Sequence, residues 1–467
     1  MKAIADMLYL TSEQIANRGP LPLPDATTTP LLRARGQVQD AGLWTPTQHM
    51  GRRWSIGCVA LEITQRCNLD CTLCYLSENS EATKDVPLEE VFRRIDMIRD
   101  YYGAHTDVQV TGGDPTLRER GELLAIVRRV KDRGLRPSLF TNGIKATREL
   151  LQELSRVGLV DVAFHVDMTQ ERNGYACEVD LNRLRSEYIE RARGLPLSVI
   201  FNTTVFDGNF AEIPAITKFF VENSDVVRLA SFQLQADIGR GVLHERGFEI
   251  NLASTVAQLR DGAGARLNFD AASAGHPACN RFAVALVANG KAYDALDEPE
   301  FIAAFTAQTL DLQFDRTRPG KVLLSILVKL LARPRLLVDS LGWLLRKAWA
   351  MKADLIRARR RYGKLTLFVH NFMDACHLEP QRIDACAFMV VTQDGPLSMC
   401  LHNAKRDQYV LEALPIRIGG TLKYWNPLNG KLEAQAPAKT SVQLTRKNAR
   451  GRARLALRPG VGTGSPA

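Results

Sequence analysis

From about residue 59 the chain falls into short apolar runs that end on polar or glycine residues, and these alternate with stretches of helical period. The runs at 59–64, 108–111, 137–140, 161–166, 197–204 and 227–233 predict strands. Apolar positions recurring every three to four residues at 88–102, 118–133, 147–157 and 213–223 predict helices between them. Strand and helix in alternation predict an α/β fold with a parallel sheet. Six such units predict a partial (βα)6 TIM-type barrel, whose chemistry belongs at the C-terminal strand ends. Cys67, then Gly112-Gly113-Asp114, then Thr141-Asn142-Gly143 follow the first three strands at that level.

Around this unit the pattern divides the rest of the chain. Residues 1–55, rich in Pro, Thr and Arg, predict an irregular extension, and 56–245 hold the barrel. A mixed connecting region follows at 246–317 and carries Cys279; basic amphipathic helices are expected at 318–362 and a cysteine-bearing module at 363–447. The basic stretch 448–467 predicts a disordered tail. No internal repeat is present.

With 45% hydrophobic and 24% charged residues the chain reads as a soluble globular protein. The first residues lack the apolar core of a secretory signal, and no uncharged apolar window is long enough to span a membrane, which predicts a cytoplasmic protein. In that reducing compartment the nine cysteines predict metal ligands or buried thiols rather than disulfides. The net charge is +10, and residues 320–361 hold eleven Lys and Arg against two Asp, 11 − 2 = +9. Ser325, Lys329 and Arg333 share one helical face there, and Trp343 and Trp349 follow. Such a block fits a helix in a membrane interface, peripheral on the inner face, or a core helix pair with a charged edge. No basic-aromatic interleaving supports nucleic acid, and none is expected.

Cys67-Asn68-Leu69-Asp70-Cys71-Thr72-Leu73-Cys74-Tyr75 sets three thiolates on one loop directly after a strand. Zinc normally takes four protein ligands, and no fourth Cys or His stands close by. Three thiolates suit a cubane with one iron left open for an exogenous ligand. Over about residues 59–241 the chain resembles the radical S-adenosylmethionine (SAM) superfamily. The Cys-x3-Cys-x2-Cys loop with Tyr75 is similar to that family's signature, and Gly112-Gly113-Asp114-Pro115-Thr116 resembles its Gly-Gly-Glu-Pro motif, with Asp in place of Glu. The resemblance implies a [4Fe–4S] cluster on Cys67, Cys71 and Cys74. It also implies SAM held by Tyr75, Gly112, Gly113, Asp114 and Pro115, with Asp114 gripping the amino group. Thr141, Asn142 and Asn202, and the Gly239-Arg240-Gly241 turn, are expected near the ribose and adenine. It further implies an electron donor such as flavodoxin or ferredoxin, and release of a 5′-deoxyadenosyl radical.

Cys58 and Cys177 read as packing thiols. Cys279, Cys376, Cys386 and Cys400 all lie beyond the barrel, enough for a second [4Fe–4S] cluster in a C-terminal auxiliary iron–sulfur region. The Asp394-Gly395 turn is expected to bring Cys386 and Cys400 together; Cys376-His377 leaves open whether three cysteines or four are ligands. The tract Phe368 to Asp374, followed by Arg382, Cys386, Asp394-Gly395, Cys400 and Asn403, resembles the C-terminal region of the tetraether-synthase group, some members of which are labelled pterin methyltransferases. That resemblance implies C–H activation on a membrane lipid alkyl chain, with C–C coupling or a related modification. Peptide maturation, heterocycle methylation and a non-catalytic iron–sulfur protein are the competing readings.

Overall fold

The computed structural model describes residues 8–25, 27–241, 243, 245–310, 312, 319–359, 362–418 and 420–437. Two helices, α1 (Ser12–Asn17) and α2 (Pro30–Asp40), precede the first strand, so the extension is not irregular as the composition suggested. Thr29 caps α2 with its hydroxyl and Pro30 opens it, a pairing that reads as loop in composition but starts a helix. Ala34 and Val38 of α2 are buried in the main core.

The strands β1 (Cys58–Thr64), β2 (Asp107–Gly112), β3 (Arg136–Thr141), β4 (Asp161–His165), β5 (Ser198–Val205) and β6 (Val227–Leu234) run parallel in chain order. Helices α3 (Leu88–Tyr102), α4 (Arg120–Asp132), α5 (Arg148–Arg156), α6 (Asn182–Ala192) and α7 (Ile213–Glu222) link them. All seven β1 residues are buried, as a strand covered on both faces requires. In α3 the buried Val91, Ile95, Ile98 and Tyr102 recur at helical spacing and form one core with Val59, Leu61 and Ile63 of β1.

The parallel set does not stop at six. Beyond α8 (Leu252–Ala263) come the hairpin β7 (Asn280–Ala288) and β8 (Lys291–Asp294), then helices α9 (Pro299–Gln308), α10 (Pro319–Leu331) and α11 (Pro334–Arg357). Strand β9 (Gly363–His370) joins β6 in parallel, and β10 (Phe388–Val391) joins β1 in parallel on the opposite side. Strand β11 (Pro396–Ser398) lies antiparallel to β10, and β7 antiparallel to β9. The order is β11-β10-β1-β2-β3-β4-β5-β6-β9-β7-β8, with eight parallel strands flanked by antiparallel edges. The stretches expected as a connecting region and a separate module therefore build the barrel sheet itself. A small sheet of β12 (Leu414–Ile418), β13 (Thr421–Asn426) and β14 (Lys431–Glu433) follows, and the tail expected at 448–467 lies outside the described residues.

Side chains of register partners share a face. On β4, Phe164 points to the helices, 4.8 Å from the Tyr188 ring of α6, so His165 points to the inner face. His165 pairs with Asn202, Asn202 with Ser231, Ser231 with Phe368 and Phe368 with Phe282. That row turns from polar on β4–β6 to aromatic on β9 and β7. The sheet curls until rings across the gap touch: His370 of β9 stands 4.6 Å from Phe388 of β10.

Candidate functional site

The cysteine loop leaves β1 at Thr64 and is held from three sides. Thr64 Oγ1 donates to Asp85 at 2.6 Å, and Arg66 donates to the Leu117 carbonyl at 2.9 Å and pairs with Asp85. Thr72 N–H donates to the Thr169 carbonyl at 2.8 Å, and Arg240 N–H to the Leu76 carbonyl at 2.8 Å. The end of β2 comes so close that Gly113 N–H reaches the Thr64 carbonyl at 2.9 Å and Asp114 N–H the Arg66 carbonyl at 2.8 Å. A Cβ on Gly112 or Gly113 would lie 2.0 Å from the Thr64 or the Arg66 oxygen, so only glycine fits either position. The two glycines thus let strand and loop meet; nothing bulkier can stand there.

Cys67, Cys71 and Cys74 share this loop, each partly exposed. Burial, then the charge of the neighbouring Cys74, pushes the Cys67 thiol up to about 11, and burial with Cys74 and Cys67 pushes Cys71 well up. Three neighbouring thiolates are unfavourable without cationic charge among them, which iron supplies. Among the described residues no three His, Cys, Asp or Glu close around a single ion. A cubane asks for no such cage, because each thiolate holds its own iron. The soft donor set and the glycine cradle both fit the cluster.

Arg240, expected near the adenine, turns back to this loop instead. Its guanidinium is buried, pairs with Glu81 at 2.9 Å and bonds Cys74, and these partners outweigh burial to hold its pKa above the usual value. Gly239, at φ 60°, is pressed on the Tyr75 backbone, where a Cβ would meet the carbonyl carbon at 2.4 Å. Tyr75 donates to the Gly112 carbonyl at 2.5 Å, and its ring lies 4.7 Å beneath the Arg406 guanidinium, which itself pairs with buried Glu62 at 2.5 Å.

Asp114 also departs from expectation. Its carboxylate is fully buried and accepts from Thr116 N–H at 3.0 Å, Thr116 Oγ1 at 2.5 Å, Thr141 Oγ1 at 2.8 Å and Asn142 N–H at 2.9 Å. It latches the β2 end to the β3 end rather than presenting free oxygens to an amino group. Asn142 then places its side-chain amide 2.6 Å from Asn68 Oδ1, within the cysteine loop. Pro115 is buried at the start of the turn Pro115–Leu117, and Asn202 sits in the inner row beside His165.

Sequence reasoning missed a His-Asp pair on that row. His165 Nε2 is 2.6 Å from Asp167 Oδ2; about a third of the imidazole is exposed and the carboxylate is not. Asp167 also accepts from the N–H groups of Thr169 and Thr204. Burial alone would lower the His165 pKa, but the Asp167 charge and hydrogen bond outweigh it and raise it. The available signal was a polar residue closing an otherwise apolar strand.

Of the four distal cysteines, Cys279, Cys386 and Cys400 lie near enough for their charges to act on one another. The Asp394-Gly395 turn pairs β10 with β11 and sets Cys386 and Cys400 at the two strand ends. Cys279 is near enough that its charge, like that of Cys400, would raise Cys386. Burial with Cys279 pushes Cys400 up to about 12, and Arg382 Nε donates to Cys279 Sγ at 3.3 Å. Cys376 is exposed, its sulfur 3.3 Å from His377 Nδ1, and does not share the buried setting of Cys386 and Cys400. Cys58, expected as a packing thiol, is buried beside Gln109, whose amide donates to its sulfur at 3.0 Å; Cys177 is partly exposed.

Residues 61–219 match the radical SAM superfamily model. The chain carries a radical SAM domain. Domains of this superfamily work with SAM and a [4Fe–4S] cluster, the group that the Cys67 loop fits. The chain is 29% identical over 186 residues to the 7,8-dihydro-6-hydroxymethylpterin dimethyltransferase of Methanocaldococcus jannaschii, covering 38% of this chain and 36% of that one. It is 28% identical over 181 residues to the PqqA peptide cyclase of Bradyrhizobium diazoefficiens, covering 38% and 46%. The matches thus span less than half the length of these curated relatives. Among solved structures, Streptococcus suis SuiB bound to precursor peptide SuiA matches 52% of each chain at 15% identity and a TM-score of 0.35.

Proposed function

We propose that this radical SAM protein is an enzyme that activates an unactivated C–H bond on an apolar alkyl chain, a membrane lipid being the leading substrate class. The observation that carries the substrate reading is the aromatic half of the inner face. Phe282 and Phe368 stack at 5.5 Å, Phe368 lies 4.2 Å from His370, and Phe388 closes on both from the facing strand. His370 is buried with no partner for Nδ1, and burial lowers its pKa to about 3, so it adds no charge to this wall. The wall suits hydrocarbon better than a charged heterocycle or a peptide backbone.

With the cluster bound, the chemistry supplied would be one-electron cleavage of SAM to methionine and a 5′-deoxyadenosyl radical, the electron coming from a reduced flavodoxin or ferredoxin; taking a hydrogen atom would give 5′-deoxyadenosine and leave a radical on the substrate carbon. The chain's own residues do the rest. Cys67, Cys71 and Cys74 hold the cluster, Gly112 and Gly113 let β2 close on its loop, and Asp114 fixes Thr141 and Asn142 against it. Cys279, Cys386 and Cys400 would hold a second cluster near Phe388, with Arg382 donating to Cys279. The names of the relatives favour a peptide or a pterin, but they belong to proteins matched over less than half their length.

Comparative lipidomics of a deletion strain and its parent tests the reading. Loss of one lipid class with accumulation of its saturated precursor is the expected result. Unchanged lipids with a missing modified peptide or pterin would refute it.

A further inference from the structure

Helices α10 and α11 are built inside out for a pair facing water. The stripe of α11 that meets the protein buries Leu336 and Met351 but also Lys347 and Asp354, 7% and 6% exposed, held by Asp294 and Asp297 and by Asn289 and Tyr293. The opposite stripe carries Leu341, Leu344, Leu345 at 69% and Trp349 at 72% exposed. On α10, Leu323, Leu324, Leu327, Val328 and Leu331 form one exposed face, and among the described side chains of that helix none is fully buried. A core helix pair would point its leucines inward and its lysine outward. Contiguous exposed apolar surface on this scale marks an interaction site.

The rim selects the partner. Lys321, Arg333, Arg335 and Lys352 border the apolar stripes, with Asp339 the one exposed acid of the pair among the described residues. Two copies docked face to face would oppose like charges, whereas an anionic lipid surface meets both the leucines and the cations. Neither helix is long and apolar enough to cross a bilayer, so the pair would lie in the interface plane.

The placement of α11 gives this surface a direction. Strand β7 runs antiparallel to β9, so the Asn289-Gly290 turn lies at the N-terminal end of the parallel strands. Asp354 meets Asn289 there, and one helical stretch back Lys347 meets Asp294 nearer the mouth. Continuing to Pro334, thirteen residues or about 20 Å further, carries the α10–α11 junction to the level where the parallel strands end.

We infer that α10 and α11 form a monotopic docking hairpin for anionic phospholipid bilayers, and that docking turns the cluster end of the barrel toward the lipid; its biological use rests on the lipid-substrate reading proposed above.

The test uses the full chain without cluster, SAM or reductant. Co-sedimentation should occur with phosphatidylcholine vesicles containing phosphatidylglycerol and fall away with phosphatidylcholine alone or at high salt. Arg335→Gln and Lys352→Gln should each weaken binding about fivefold, at about 1 kcal/mol per surface cation. Leu345→Glu should abolish it with the circular dichroism spectrum unchanged, and Trp349 fluorescence should be quenched by spin-labelled lipid in the parent. Absence of binding to anionic vesicles, binding indifferent to Leu345→Glu, or a dimer in light scattering that Leu345→Glu dissolves would each overturn the proposal. Intact vesicle binding with unaltered cellular lipids would refute the substrate reading alone. Altered lipids without vesicle binding would refute the docking alone.

Discussion

The Thr141 hydroxyl lies 2.8 and 3.0 Å from the two oxygens of Asp114, and both residues are buried. This contact joins the motifs that end β2 and β3, so Asp114 shapes the site by holding Thr141 and Asn142. Asp114→Ala would strand the Thr141 hydroxyl and the Asn142 N–H in a dry place, costing roughly 3 kcal/mol. Thermal unfolding without SAM should therefore shift down, and Thr141→Val should give part of the same shift. A direct grip on SAM alone would leave the SAM-free protein as stable as the parent while lowering affinity by calorimetry.

Gly113→Ala should be worse tolerated than its size suggests. The added carbon would sit 2.0 Å from the Arg66 carbonyl oxygen, a backbone atom that cannot rotate away. Pushing the cysteine loop off β2 should cost about 3 kcal/mol or more and lower the iron bound on reconstitution. Iron content equal to the parent would show that the loop can give way.

Cys71→Ala should abolish 5′-deoxyadenosine production from SAM under anaerobic conditions with dithionite, since Cys71 lies between the other two thiols of the loop. Product formation at the parental rate in the triple variant of Cys67, Cys71 and Cys74 would remove the basis for the whole assignment.

The six strands of the barrel were legible because each is an apolar run closed by polar or glycine residues, a local signal. The addition of β9 and β10 to the same sheet was not, because β10 pairs with β1 more than 300 residues earlier and β9 with β6 across the intervening hairpin and helices. Glycine pairs, cysteine spacing and the Asp394-Gly395 turn were readable in place. The direction of the Asp114 carboxylate was not, since it depends on Thr141 across a strand pair. Periodicity set Ser325, Lys329 and Arg333 on one helical face, but it could not say that Lys347 and Asp354 of α11 are turned inward.

His165 and His370 should titrate on opposite sides of the ordinary histidine value. Burial lowers the first, but the Asp167 charge and hydrogen bond outweigh it and raise it; burial alone lowers the second to about 3. Because the folded value of His165 is raised, its ion pair stabilises fully below the unfolded value of about 6.5 and fades as pH rises through the folded value. His165→Gln should cost roughly 2 kcal/mol at pH 6 and about 1 kcal/mol well above neutrality, where the neutral ring still donates one hydrogen bond. Denaturant unfolding at several pH values checks this, and a pH-independent cost would refute it.

Iron counting decides the second cluster. Cys279, Cys386 and Cys400 lie near one another and Arg382 donates to Cys279, whereas Cys376 is exposed and bonded to His377. Three thiolates can hold a cubane with one open iron, so the reconstituted parent should bind about eight irons. Cys376→Ala should keep all of them. The paired variant of Cys386 and Cys400 should fall to about four irons and still cleave SAM, because the Cys67 loop contains neither residue. The triple variant of Cys67, Cys71 and Cys74 should also keep about four, with a visible charge-transfer band but no SAM cleavage. Eight irons in the parent falling to four in Cys376→Ala would mean that the exposed cysteine swings in as a fourth ligand. Four irons in the parent, all lost with the loop triple variant, would leave the distal thiols as packing for the aromatic wall.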